Sequence, residues 1–144
     1  MDDQIEISIR EFYPNDFNFV ISKWLKNYKF SSRFTKKIKA DIYYKWHHLL
    51  IENIMNRAST VILIANPNDE PDVNLGFICF ENIGTDKVIH YLFIKPEFRN
   101  FGIAKRLYLK AMEDKQTGYF THWTYPVDTL EFKVPNLTYD PYRI

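Results

Sequence analysis

The chain has 144 residues, of which 46% are hydrophobic and 17% aromatic, with a net charge of +1. That is enough apolar material for one sizeable core and too little length for two, so a single domain over residues 1–144 is expected, with an irregular tail from about residue 128. The near-neutral balance excludes a globally basic nucleic-acid binder, and the single Cys79 excludes a disulfide framework and fits a reducing compartment. The first residues, MDDQIEISIR, are acidic and alternating where a secretory leader would be basic and then apolar. The longest apolar run, Val61 to Ala65, is far below the ~20 residues of a spanning helix. A cytoplasmic protein without a membrane anchor is the expectation.

In chain order, Ile5, Ile7 and Ile9 alternate with polar residues and predict a half-buried strand. Past Pro14, Asn15 and Asp16 suit a helix cap, and Phe17, Val20, Ile21, Trp24, Leu25 and Tyr28 recur at helical spacing. From Phe17 to Ala40 there is no acid, while Lys23, Lys26, Lys29, Arg33, Lys36, Lys37 and Lys39 interleave with Tyr28, Phe30 and Phe34. Such a segment can grip an anionic polymer by charge and stacking. It can equally be a solvated helix face and a basic loop.

Asp41 suits the cap of a second helix, in which Ile42, Trp46, Leu49, Leu50 and Ile54 share one side. His47 and His48 are adjacent and so point about 100° apart on a helix, which keeps them from sharing a metal ion. They read as ordinary helix histidines, one of them able to line a pocket, and no metal is expected. Three β-rich runs follow, Thr60 to Ala65, Val73 to Glu81 and Lys87 to Lys95, joined by short turn-forming segments as in an antiparallel meander.

After the third run, Pro96 opens a turn and Arg99-Asn100-Phe101-Gly102-Ile103-Ala104 leads into a helix reaching about Lys115. Its face is Ile103, Ala104, Leu107, Tyr108, Ala111 and Met112, and Thr117-Gly118 stops it. A glycine-bearing turn at a helix start leaves backbone N–H groups unpaired at the positive end of the dipole, which makes an anion cradle. The bland alternative is a tight turn into a core helix. Tyr119 to Val127 reads as another strand, so strand, helix and strand form a parallel crossover and the sheet is mixed. The tail, with Pro135 and Pro141, reads as irregular or as a short edge strand.

The hexapeptide Arg99 to Ala104, preceded by Leu92-Phe93-Ile94-Lys95-Pro96, resembles the pyrophosphate turn of the GNAT superfamily of acyl-CoA-dependent N-acyltransferases. The order strand, helix, helix, three antiparallel strands, turn, helix and strand is similar as well, to about Val127. WLKNYKFS, HHLLIENIMNR and THWT further resemble a branch of small GNAT-like proteins encoded by tailed bacteriophages. The resemblance implies an α+β fold, a mostly antiparallel sheet in which the helix after the turn crosses over from the fourth strand to the fifth, and acetyl-CoA (CoA) as the cofactor. It implies that the backbone of Leu92 and Ile94 bonds the pantetheine arm where two strands splay. It also implies that the amides of Asn100, Phe101, Gly102, Ile103, Ala104 and Lys105, in the turn opened by Arg99, hold the pyrophosphate, with Lys105 and Arg106 adding charge.

Acyl transfer to an amine also needs a base and an acid near the thioester. His90 precedes Leu92 by two residues, on the same face of a regular strand, and its unperturbed pKa of ~6.5 suits base work. Its position resembles that of a strand histidine in the arylalkylamine branch of the superfamily, although a hydrogen-bonded core histidine is the plain alternative. The superfamily's acid is a tyrosine on a helix after the fifth strand. No such helix is evident here, which leaves Tyr139 as the nearest candidate, with Tyr125 and Tyr142 as alternatives. The acceptor is left open: a small amine, a protein lysine, or a nucleic-acid base reached through the basic segment 23–39. A GNAT-fold structural or interaction protein without catalysis, such as a virion component, is the competing expectation.

Overall fold

The computed structural model describes residues 6–113, 117–122 and 137–144. Six strands form one sheet in the order β1-β2-β3-β4-β5-β6. They are β1 (Ile7–Glu11), β2 (Thr60–Pro67), β3 (Gly76–Ile83), β4 (Asp86–Ile94), β5 (Gly118–Phe120) and β6 (Leu137–Tyr139). The first four pair antiparallel, and β4–β5 and β5–β6 pair parallel. The sheet is therefore mixed, as the sequence implies, and the tail supplies its edge strand. The three helices are α1 (Phe17–Ser31), α2 (Ala40–Met55) and α3 (Ile103–Met112).

Helices cover both faces because the central strands are apolar on both. On one face, Ile103, Leu107, Tyr108, Ala111 and Met112 of α3 pack on Leu63, Ile78, Phe80, Ile89, Leu92 and Ile94. On the other, Val20, Ile21, Trp24, Leu25 and Tyr28 of α1 and Tyr43, Ile51 and Ile54 of α2 pack on Ile62, Ile64, Phe77, Cys79, Tyr91 and Phe93. Leu107 is fully buried, so Leu107→Ala would cost about 2–5 kcal/mol through lost transfer energy and the cavity left behind.

Several local expectations are corrected. Asp16 sits at the N-cap of α1 without a side-chain cap bond. Its carboxylate instead takes a two-pronged pair from Arg10, at 2.8 and 3.0 Å, and the Tyr13 amide at 2.7 Å. The guanidinium is the stronger donor and fixes β1 to the start of α1. Asp41 lies inside the first turn of α2, whose N-cap is Lys39. Helix α3 ends at Met112, with Glu113 as its C-cap, short of Thr117-Gly118.

The buried stripe of α2 keeps the expected Ile54, with Leu50 packed against the core, but is otherwise rotated by about one residue. Ile42, Trp46 and Leu49 are 48%, 60% and 52% exposed, while Tyr43, Ile51 and Ile54 face the core. Tyr43 fixes this rotation by donating from its hydroxyl to the Leu25 carbonyl at 2.7 Å, and the same rotation carries His47 inward. Lys29 leaves the expected basic patch, because its buried ammonium donates to the carbonyls of Thr35 and Ile38 at 2.7 and 2.8 Å.

Candidate active site

Strand β4 shapes the site through two irregularities. Phe80 pairs with Ile89 and Cys79 with Tyr91, so His90 is an extra residue on β4, a β-bulge. Bulges re-aim side chains, and this one overturns the expected facing of His90. Leu92 and Ile89 belong to the α3 face and Tyr91 to the opposite one. His90 bonds Glu81, next to Phe80 on β3, and so lies on the Tyr91 side, away from Leu92.

The second irregularity is a splay. Strand β4 pairs with β5 only at Val88↔Tyr119 and Ile89↔Phe120, with one further bond from the Thr121 amide to the Ile89 carbonyl at 3.0 Å. Beyond Ile89, among the described residues, nothing pairs with that side of β4, which continues to Ile94. The Lys95 amide donates to Leu75 across the β3 side at 2.9 Å. Backbone groups alternate in direction along a strand, so those of Leu92 and Ile94 face the open side. The Ile94 carbonyl is taken there by Arg99 Nε at 3.0 Å, which ties the following turn to the strand end and leaves the Ile94 amide and both Leu92 groups facing the gap.

The turn then enters α3 through two left-handed residues, Asn100 (φ 69) and Gly102 (φ 80). The first helical bond runs from the Arg106 amide to the Gly102 carbonyl at 3.1 Å. Among the described residues no backbone carbonyl accepts from the amides of Asn100 to Lys105. Such a concave run of amides is an anion site. A β-carbon at Gly102 would meet nothing within 4 Å, so the space in front of it is open, and the glycine is required by its φ rather than by crowding. Lys105 is exposed, and Arg106 turns to the Ile7 carbonyl at 3.3 Å. A diphosphate and an extended amide-bearing arm fit these donors: amides and charge at the turn, strand-edge groups in the splay.

At the vertex of the splay lies a file of polar side chains that sequence reasoning left apart. Glu81 Oε1 is 2.7 Å from His90 Nε2, and His90 Nδ1 is 2.9 Å from Thr121 Oγ1. Thr121 Oγ1 is 2.9 Å from His122 Nδ1, and His122 Nε2 is 3.1 Å from His47 Nε2. Arg57 and Ser59 donate to the Glu81 carboxylate at 2.7 and 2.6 Å. Tyr28 and Trp24 of α1, Tyr43 of α2 and Tyr91 of β4 wall the file with their rings. His48, by contrast, turns to Glu52 at 2.7 Å on the outer surface.

Burial sets the charges. It pushes the pKa of His47 down to about 4 and holds that of His122 well below the usual imidazole value, with His47 and His90 adding to the effect. Burial also lowers His90, against the upward pull of Glu81. For Glu81 burial acts upward, but the bonds from Ser59, His90 and Arg57 outweigh it and keep the carboxylate ionised. Tyr139 sits half-buried on β6, its ring 5.2 Å from that of Phe120, with its pKa raised by burial and by Tyr142. Tyr142 is 93% exposed, and Tyr125 lies outside the described residues. Among the described residues no helix is long and apolar enough to cross a membrane.

The fold thus sets a splayed parallel pair next to an amide-lined turn. Residues 20–124, more than half of the chain, match the Acetyltransferase (GNAT) family, and the protein belongs to that family. No curated protein matches it in sequence. Among solved structures it is similar to the PaiA N-acetyltransferase of Thermoplasma acidophilum in complex with coenzyme A. The TM-score is 0.53 at 22% identity, covering 74% of this chain and 70% of that one. It is similar also to a Pyrococcus furiosus protein, with a TM-score of 0.57 at 20% identity, covering 75% and 73%. An aminoglycoside N-acetyltransferase in complex with CoA aligns over 97% of this chain and 80% of its own, with a TM-score of 0.53 at 13% identity. These likenesses establish the fold.

Proposed function

We propose that the chain is an acetyl-CoA-dependent N-acetyltransferase that moves an acetyl group to an amine by direct attack on the thioester. The observation that carries this is the run of amides from Asn100 to Lys105, which no backbone carbonyl among the described residues takes, beside the edge of β4 that none of the described residues pairs beyond Ile89. Helix-start amides that face water lack intrahelical partners in any fold; what supports the reading is that these lie at the end of the splayed β4 edge and are tied to it by the Arg99–Ile94 bond. Family membership supports the same reading.

In this reading the amides of Asn100 to Lys105 hold the pyrophosphate, and the strand-edge groups of Leu92 and Ile94 hold the pantetheine. Acetyl-CoA supplies an activated acyl carbon and a thiol leaving group. Arg99 keeps the turn in register with the strand through the Ile94 carbonyl. His90 takes up the proton that the acceptor must lose, by way of its hydrogen-bond partners, because both of its ring nitrogens are engaged. Tyr139, kept protonated by its raised pKa, serves as the acid. The acceptor approaches from the α1–α2 side, where Lys26, Arg33, Lys36, Lys37 and Lys39 are exposed with Phe30 and Phe34. Small amines, peptide lysines and aminated nucleobases are all compatible with that surface. The test is incubation with acetyl-CoA and each acceptor class, followed by mass-spectrometric detection of acetylated products. Transfer to one class is expected, and none to any class would overturn the reading.

A further inference from the structure

The hydrogen-bonded file from Glu81 to His47 has only one consistent proton order when Glu81 is a carboxylate and the three imidazoles are neutral. A carboxylate only accepts, so His90 Nε2 carries a proton and donates to it; the neutral ring then offers Nδ1 as an acceptor. The Thr121 hydroxyl has one proton and must give it to His90 Nδ1. It therefore accepts from His122 Nδ1–H, which leaves His122 Nε2 bare to accept from His47 Nε2–H. Every side-chain donor in the file meets an acceptor, and the His90 backbone carbonyl additionally accepts from the His122 ring. Glu81, His90, Thr121 and His122 are at most 2% exposed, and His47 on α2 is the half-buried end.

Such an ordered file can move a proton without moving an atom heavier than hydrogen. Acetylation of an ammonium group has a use for it. Of the three N–H protons, one stays on the amide, one leaves with the thiol sulfur, and one must reach solvent. We infer that the file is a proton relay that takes this third proton from the acceptor at His47 and stores it on the His90–Glu81 pair. The inference rests on the acetyltransferase reading above.

The transfers are as follows. His47 Nδ1, which has no partner among the described residues, takes the proton, and His47 Nε2–H passes its own to His122 Nε2. His122 Nδ1–H passes to Thr121 Oγ1, and the Thr121 hydroxyl proton passes to His90 Nδ1. Only N–H and O–H bonds form and break, and the outcome is a His90 imidazolium facing the Glu81 carboxylate. The amine is left with the lone pair that attacks the acyl carbon, and the relay runs backward to release the proton to solvent after the product departs. Arg57 is the other full charge on Glu81, and the walls from α1, α2 and β4 are uncharged rings. Of the other cations, Lys29 lies 5.7 Å over the Tyr43 ring and is committed to two carbonyls, and Lys87, beside the Glu81-paired Val88, donates to Asn82. The inward proton therefore meets its most favourable site beside Glu81. His122 and Thr121 act through their neighbours and are positioning and relay groups rather than substrate contacts.

The test uses the full chain, labelled with nitrogen-15 at histidine, as wild type, Thr121→Val and Thr121→Ser. Long-range proton–nitrogen spectra at neutral pH should show His90 and His47 as Nε2–H tautomers and His122 as the Nδ1–H tautomer. Thr121→Val should shift the His122 nitrogens and Thr121→Ser should restore them, whether or not turnover is measured. With acetyl-CoA and a lysine peptide or 1,4-diaminobutane as probe amines, Thr121→Val should lower kcat about 100-fold at unchanged KM for acetyl-CoA, with recovery in Thr121→Ser. An Nε2–H tautomer at His122, or full kcat in a folded Thr121→Val, would overturn the relay alone. Wild-type protein that binds no acetyl-CoA would overturn the reading it rests on.

Discussion

Glu81 meets His90 at 2.7 Å because β4 carries one residue more than β3 between Ile89 and Tyr91. Without that extra residue, His90 would share the face of Leu92 and point toward α3. The bulge thus converts a helix-facing position into one that joins the carboxylate to Thr121 and, through it, to α2. Glu81→Gln keeps the shape and removes the charge-assisted bonds from Arg57 and His90. It is expected to lower stability by about 1–3 kcal/mol in urea titration, and to remove most of the kcat for acetyl transfer.

Acid should destabilise the fold in a defined window. His47, His90 and His122 all have folded pKa values below the unfolded one, so between the two values the unfolded chain binds protons that the folded chain does not. Stability is then complete above about pH 6.5 and falls as the pH drops toward about 4, the folded value for His47. Each histidine contributes a slope of up to about 1.4 kcal/mol per pH unit. Urea midpoints measured from neutral pH downward should show this loss, and His47→Phe should make it shallower.

Gly102→Trp tests the turn. A side chain at φ 80 costs roughly 1–2 kcal/mol of backbone strain, while the space around the position is open. The variant should therefore fold, with a circular dichroism spectrum like that of the wild type, and lose acetyl-CoA binding because the indole fills the anion cradle.

Tyr139→Phe removes one hydroxyl and leaves the ring on Phe120. Expected is a fall in kcat of about 100-fold with the KM for acetyl-CoA unchanged, because the departing thiolate loses its proton donor. Tyr142→Phe, at an exposed ring, should behave as wild type.

The fold was largely legible because its strands and helices carry long apolar patterns and the glycine-bearing turn before α3 is a short, contiguous stretch. The turn itself was legible for the same reason: Asn100 to Ala104 are contiguous, so their sequence pattern is their backbone geometry, while Arg99 reaches back to the Ile94 carbonyl through its side chain. The polar file was not. Glu81, His90, His122 and His47 come from four separate segments. The bulge that joins the first two leaves no mark in KVIHYLFI, where both faces are apolar and alternation has no phase to lose. The rotation of α2 was missed because Tyr43 and His47 occupy core positions that a hydrophobic count gives to Ile42 and Trp46. The sequence marks His90 as a candidate base, His47 as able to line a pocket, and Thr121 and His122 within THWT, but nothing in it joins them to one another or to Glu81.

The most direct measurement is calorimetric titration of the folded chain with acetyl-CoA. Saturable binding in the micromolar range, absent in Gly102→Trp, is the predicted result. A folded wild-type chain that gives no heat and no saturable signal would contradict the assignment of the β4 edge and the Asn100–Lys105 amides to this cofactor.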